Sequence, residues 1–291
     1  MSIINQIKKE LNQLGIKPKK SLGQNFLINE GVYQKIISAL ELNSDDTVVE
    51  VGPGLGTLTE FLASSEAKII AVEKDSRCIE HLKQKFRNQK NVTISEGDVL
   101  AFNPTEYNLM AGNWKLVGNI PYYITSHLIR VALENWPAPK SIVLMMQKEV
   151  AQRICAKPPH MSLLAVSVQY YAQPKIISHV SRGNFYPSPE VDSSIIKLVL
   201  RDAYQVLRAA GDKFFEVVKA GFAGKRKQLG NNLSAGLKLE KKYIEERLTS
   251  IDINPMRRAE TLLSRNGKIS LPCSCRAKRP ITILGISRVG F

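Results

Sequence analysis

Short apolar runs, each closed by polar or turn residues, recur along the first two thirds of this chain, and segments of helical period separate them. Thr47–Val51, Lys68–Glu73, Asn91–Ser95, Lys115–Val117 and Ser141–Met146 read as strands, with helices expected over Leu55–Ala63, Ser76–Phe86 and Ile124–Leu133. Strands that are apolar throughout, rather than at alternate positions, must be covered on both faces. The pattern therefore predicts an α/β fold with a mostly parallel sheet and helices on both sides. In such sheets ligands bind beyond the carboxyl ends of the strands, so the chemistry is to be sought where each run stops.

A chain of 291 residues has room for one sizeable α/β domain and a smaller second one. After Met146, helices over Lys148–Ala156 and Ser162–Tyr171 lead to two more apolar runs, Pro174–Val180 and Ser193–Leu200, which should complete the sheet. Beyond Arg201 the pattern is helical and charged, with helices expected over Asp212–Phe222, Lys225–Ser234 and Lys241–Leu248. The expected division is a catalytic domain over 1–201, a small α-helical domain over 202–263 and an atypical basic tail over 264–291. That tail carries Arg265, Lys268, Arg276, Lys278, Arg279 and Arg288 and no acidic residue.

The formal charge of +15 and pI near 9.6 suit a polyanionic partner, either nucleic acid or an anionic membrane surface, and leave the motifs to choose. Cys78, Cys155, Cys273 and Cys275 form no paired framework, which predicts a reducing, cytoplasmic compartment. Residues 1–10 hold no apolar leader core, and the longest apolar stretch, Ile142–Met146, is too short for a bilayer, so no membrane segment is expected. No metal site is expected either. Cys273-Ser274-Cys275 lacks a second ligand pair, and His81, His127, His160 and His179 are scattered.

Gly52, Gly54 and Gly56 follow the first strand and open a helix, where a side-chain-free backbone can turn tightly beside a ligand. A dinucleotide fingerprint would place its third glycine at 57, where Thr57 stands; this favours a nucleoside over a pyrophosphate. Glu73 ends the next strand and can accept from two ribose hydroxyls, although strand-end carboxylates are also often merely solvated. Asp98 ends the third and can accept from an adenine amino group. As a set, the three strand ends are more specific than any one of them.

Asn119-Ile120-Pro121-Tyr122 closes the fourth run. Asn119 Oδ1 and the Ile120 carbonyl can each accept one N–H of an exocyclic amine, favouring a pyramidal nitrogen whose lone pair is aimed at a methyl donor. Tyr122 would stack on a base presented out of its helix. Taken alone, the tetrapeptide is equally an ordinary proline turn. Phe185 offers either a second aromatic face or a core ring.

These residues resemble the ribosomal small-subunit RNA adenine dimethyltransferases. The resemblance rests on Lys20-Ser21-Leu22-Gly23-Gln24-Asn25-Phe26-Leu27, Val49 through Thr59, Glu73-Lys74-Asp75, Glu96-Gly97-Asp98, Gly118 through Tyr122 and Phe185 through Ser193, in order throughout residues 17–200. It implies a Rossmann-like class I methyltransferase with a helical C-terminal domain. It also implies S-adenosylmethionine as donor and N6,N6-dimethylation of two adjacent adenosines in the 3′-terminal hairpin loop of small-subunit (16S) rRNA, late in 30S assembly. Carried over by position, Asn25, Leu27, Gly52, Gly54, Glu73, Asp98 and Asn119 would line the donor, and Asn119 to Tyr122 with Phe185 would hold the base.

Gly221 through Leu233 resembles the family's basic helix, with Lys225 and Gly230 where arginines are usual. Lys225, Arg226, Lys227, Arg257 and Arg258 are the implied RNA contacts. Met161-Ser162 departs from the usual Tyr-Gly, and the tail after Ser264 departs from the family's closing helix. The rival readings are a large-subunit rRNA adenine methyltransferase of the macrolide-resistance type, a non-catalytic RNA-binding assembly or transcription factor, and a nicotinamide-dependent oxidoreductase, against which Thr57 counts. A monomer is expected.

Overall fold

The computed structural model describes residues 2–18 and 25–262, so the tail after Ser264, with Cys273 and Cys275, lies outside the described residues. The chain begins with α1 (Ile3–Gln13), β1 (Phe26–Leu27), α2 (Glu30–Leu40), β2 (Thr47–Val51), α3 (Thr57–Ala63), β3 (Lys68–Glu73), α4 (Ser76–Lys85) and β4 (Val92–Glu96). It continues through β5 (Trp114–Asn119), α5 (Tyr122–Glu134), β6 (Ser141–Gln147), α6 (Lys148–Ile154), α7 (Leu163–Tyr171), β7 (Ala172–Val180), β8 (Phe185–Tyr186) and β9 (Ser193–Leu200). Helices α8 (Tyr204–Phe222), α9 (Leu229–Leu237) and α10 (Lys241–Thr249) follow. No described helix is long and apolar enough to cross a membrane.

Seven strands form one sheet in the order β4-β3-β2-β5-β6-β9-β7. The first five in that order are mutually parallel, and β9 and β7 complete the edge antiparallel. Val48, Val49, Ile69, Ile70, Leu116, Val117 and Ile142 through Met146 are each at most 1% exposed. Consecutive residues on opposite faces are thus equally dry, as the continuous apolar runs require. Each such side chain contributes roughly 1.5–3 kcal/mol of burial. The strand order reverses at β2, whose Val51 is paired with Val72 of β3 on one side and Gly118 of β5 on the other. Three strands therefore end at one level and open a crevice there.

Several boundaries differ from the sequence expectation. Strand β5 runs on to Asn119, and α5 starts immediately at Tyr122 with Pro121 at its N-cap. Helices α1 and α2 were not anticipated, although Ile3, Ile7 and Leu11, and Val32, Ile36 and Leu40, are spaced for one helical face. Asn29 caps α2 by accepting from the Val32 N–H at 3.2 Å, and Glu41 ends it in the left-handed region at φ 51°.

The chain divides into two compact units. The first runs up to Gln152 and resumes over Ala172–Leu200; the second takes Arg153–Tyr171 together with the chain from Arg201 onward. The segment 153–171, which the sequence reading assigned to the catalytic domain, is thus packed with the C-terminal helices. Tyr170 stacks on Phe214 with ring centroids 4.0 Å apart, and the Met161 N–H donates to the Glu260 carbonyl. The second unit's core is Val217, Leu229, Leu233, Ile244 and Leu248. Gly236 lets α9 approach α8, since a Cβ there would lie 2.6 Å from that of Ala220.

The expected basic helix over Lys225–Ser234 is instead a turn followed by α9. Asn232, 4% exposed, donates from Nδ2 to the carbonyls of Gly221 (2.7 Å) and Gly224 (3.0 Å). Taking those carbonyls ends α8, so Lys225, Arg226 and Lys227 fall on an exposed turn.

Candidate active site

The turn after β2 is held in its shape by β3. The Gly52 N–H donates to the Val72 carbonyl at 3.0 Å, and the Gly54 N–H donates to Glu73 Oε2 at 3.0 Å. Gly52 and Gly54 sit at φ 63° and 59°, where a Cβ is disfavoured. Gly54 also supports a close approach, since a Cβ on it would lie 3.3 Å from the Phe26 ring. Gly56 serves packing instead. At φ 78° it caps α3, and a Cβ would meet Leu82 of α4 at 2.8 Å and Phe86, just past the end of α4, at 2.7 Å.

Glu73 is fixed from three directions. Its Oε1 accepts from the N–H groups of Lys74 (2.7 Å) and Asp75 (2.9 Å), in addition to the Gly54 bond on Oε2. A carboxylate has about four acceptor sites, so capacity is left on Oε2 for a ligand hydroxyl. The Glu73 carbonyl accepts from Gly97 N–H at 2.8 Å, which joins the third strand end to the other two. Asp98 follows, its Oδ1 accepting from Leu100 N–H and its Oδ2 paired with Lys74 Nζ at 2.8 Å. The Lys74 ammonium, then the Leu100 N–H, hold the Asp98 carboxyl below its usual range.

Asn119 stands at the end of β5, beside the crevice, and its Nδ2 donates to the Asn25 carbonyl at 3.2 Å. This fixes the amide with Oδ1 as its remaining acceptor. Ile120 is 3% exposed and folds back over the strand ends: its Cγ2 would be 3.9 Å from a Cβ on Gly52 and 3.0 Å from one on Gly118. Pro121 at φ −54° then directs the chain into α5. Tyr122 is half-buried, its hydroxyl 2.7 Å from Ser193 Oγ, and burial raises its pKa.

Two residues are placed differently from expectation. Phe185 is 4% exposed and belongs to the core with Leu27, Tyr33 and Ile195, so its ring offers no open stacking face. Leu27 is 1% exposed, and its carbonyl accepts from the Tyr33 hydroxyl at 2.8 Å, which leaves only backbone to line a ligand. The β1–β8 pairing sets Leu27 opposite Phe185. Both thus shape the site from behind.

Two further side chains, Glu50 and Lys85, not anticipated from the sequence, support the turn. Glu50 lies in β2 just before the turn, 1% exposed, with Oε2 accepting from the Thr59 hydroxyl at 2.6 Å. Burial pushes its pKa up to about 8. The signal was a lone charge inside an apolar strand. Lys85 Nζ donates to the Leu55 carbonyl of the turn at 2.9 Å and pairs with Glu60 (2.9 Å) and Glu10 of α1 (3.4 Å). No local sequence signal marks it.

In the second unit, the Leu229 and Gly230 N–H groups donate to the carbonyls of Arg257 and Pro255. This sets exposed Arg257 and Arg258 beside the Lys225–Lys227 turn. Gly230, where an arginine was expected, lets Pro255 pack close: a Cβ would be 3.3 Å from that of Pro255. The Arg257 guanidinium bonds Thr261, through Oγ1 and the carbonyl.

The sheet order, the glycine turn and the strand-end acids define a class I methyltransferase. Among solved structures, the chain is similar to a dimethyladenosine transferase from Plasmodium falciparum (28% identity, TM-score 0.71, covering 82% of this chain and 93% of that one). It is also similar to the 23S rRNA methyltransferase ErmE (26%, TM-score 0.67, 81% and 94%). Residues 15–264 match the family described as ribosomal RNA adenine dimethylase, and the chain belongs to that family. Curated relatives include the ribosomal RNA small subunit methyltransferase A of Dehalococcoides mccartyi, 44% identical over 90% of both chains. That of Clostridium botulinum is 39% identical, over 90% of this chain and 96% of its own.

Proposed function

We propose that this protein transfers methyl groups from S-adenosylmethionine to N6 of two adjacent adenosines in the 3′-terminal hairpin loop of small-subunit rRNA, giving N6,N6-dimethyladenosine. On this reading it acts as a cytoplasmic monomer, late in assembly of the 30S subunit. The observation that carries it is Asn119, whose Nδ2 is committed to the Asn25 carbonyl while Oδ1 is left to accept an amine N–H. Relatives at 39–44% identity named for the small-subunit RNA favour that substrate over the large-subunit RNA of the more distant ErmE.

Bound S-adenosylmethionine supplies an electrophilic methyl group. The donor set fits it: Glu73 would take the ribose hydroxyls, Asp98 the adenine amine once Lys74 yields, and Gly52, Gly54, Asn25 and the Leu27 backbone would line the remainder. Asn119 Oδ1 and the Ile120 carbonyl take the two N–H groups of the target amine and turn its lone pair toward the methyl carbon. The amine proton becomes acidic as the N–C bond forms and leaves to solvent, so no strong base is needed. Tyr122 stacks on the flipped base, steadied by Ser193. Lys225, Arg226, Lys227, Arg257 and Arg258 contact RNA phosphates.

Asn119→Ala tests the reading. Methyl transfer to under-methylated small subunits should fall roughly hundredfold or more, while RNA affinity stays within a few-fold, because the amide aligns rather than anchors. Turnover at the wild-type rate would refute it.

A further inference from the structure

A cleft of about 500 Å³ opens between α2 and the face of β7 and β9, and it is lined by three lysines: Lys35, Lys175 and Lys197. Lys175 and Lys197 are direct register partners across the antiparallel β7–β9 pair. Like charges placed opposite each other in this way destabilise a sheet. Lys197 is also buried, at 9% exposure, where a lysine is rarely found without a partner.

The charge is poorly compensated. Lys197 Nζ reaches Glu41 Oε2 at 2.9 Å, but the Glu41 side chain is 77% exposed against 11% for Lys197. Lys35 donates to a neutral group, Ser178 Oγ, at 3.1 Å. Among the described residues Lys175 has no carboxylate partner. Lys140 adds to the positive field at Glu41, whereas Lys115 is neutralised by its own pair with Asp46 at 2.7 Å. An edge strand often carries lysine to block pairing with other chains, which would account for Lys175. It accounts for neither Lys197, on an inner strand, nor Lys35, on a helix.

The cleft is separate from the methyl-transfer site. Strand β9 runs antiparallel, so Ser193 pairs with Gln147 at the site end of β6 and Val199 pairs with Ser141 at the far end. Lys197 lies four residues beyond Ser193, which bonds Tyr122, a separation of roughly 13 Å at about 3.3 Å per residue. A few nucleotides span that distance.

We propose that this cleft is a second RNA-binding surface, in which Lys35, Lys175 and Lys197 take backbone phosphates of the substrate RNA and the exposed Glu41 carboxylate, holding the place of a phosphate oxygen, swings out. The proposal rests on the reading of this protein as an RNA methyltransferase. It predicts a sequence-independent contact that adds affinity and leaves chemistry alone.

The test measures binding of the full chain to under-methylated small subunits across a salt series, with methyl transfer measured in parallel at saturating subunits. Lys35→Gln/Lys175→Gln alters two exposed residues and should leave the folded state intact, as thermal unfolding checks. Its affinity should fall roughly tenfold at 0.1 M salt, and the slope of log K against log salt should shrink by about 1.5, for two lost phosphate contacts. Saturated turnover should stay at the wild-type rate. Glu41→Gln should bind more tightly by a few-fold. Unchanged affinity and slope in the double variant overturn the cleft. So does loss of binding to phosphatidylserine vesicles with RNA affinity intact, which would assign the cleft to a membrane surface. Absent methylation by the wild type would sink the functional reading alone, because the salt slope reports RNA contact without it.

Discussion

Replacing Glu50 by glutamine should stabilise the protein at neutral and alkaline pH, by an amount that the surroundings of Glu50 set. The carboxyl is 1% exposed in β2, and its pKa is raised from 4.5 to about 8, first by burial and further by the Glu73 charge, with the Thr59 hydroxyl opposing. The folded protein therefore holds a proton that the unfolded chain has released across that window. The contribution of Glu50 to stability must fall as pH rises from about 4.5 and level off above about 8. At about 1.4 kcal/mol per pKa unit, the loss is on the order of 5 kcal/mol. Glutamine is isosteric, can still accept from Thr59 Oγ1 and does not titrate, so its contribution is flat. Both tryptophans, Trp114 and Trp136, are buried in the first unit, so their fluorescence in urea reports the unit that holds Glu50. The gap between variant and wild type should be near zero at pH 5 and widen to several kcal/mol by pH 8. Two curves that stay parallel from pH 5 to 8 would refute the buried, protonated Glu50.

Tyr122→Phe removes the Ser193 hydrogen bond, about 1 kcal/mol, and keeps the ring, so kcat/KM should drop less than tenfold. Tyr122→Ala also removes stacking and should cost roughly a further 1–3 kcal/mol in steady-state assays. Lys85→Met leaves the half-buried Glu10 short of a partner and frees the Leu55 carbonyl. The melting temperature should fall, with roughly 3 kcal/mol lost, and KM for S-adenosylmethionine should rise more than kcat falls. Gly56→Ala meets Phe86 and Leu82 at a left-handed φ and should destabilise by roughly 2–4 kcal/mol in chemical denaturation.

The central strands were legible because β2, β3, β5 and β6 are covered on both faces and so read as short, nearly continuous apolar runs bounded by turn residues. The strand ends then located the glycine turn, Glu73, Asp98 and Asn119 together. Elements whose identity depends on distant partners were not legible. Tyr170 and Met161 place 153–171 in the second unit through contacts to Phe214 and Glu260, which no local pattern reveals. The turn at Lys225–Lys227 depends on a buried Asn232 that satisfies carbonyls eight and eleven residues back. Asn25 meets Asn119 across 94 residues of chain, so resemblance alone could nominate it. Phe185 illustrates the converse: an aromatic inside a recognised motif can serve the core beneath a site.

The most direct test of rRNA dimethylation supplies isotope-labelled S-adenosylmethionine to the protein with under-methylated small subunits and, separately, with large-subunit RNA, and maps the label by mass spectrometry. The expected product is N6,N6-dimethyladenosine at two adjacent positions in the 3′-terminal hairpin of the small-subunit RNA. Label confined to large-subunit RNA, or tight RNA binding with no label, would contradict it.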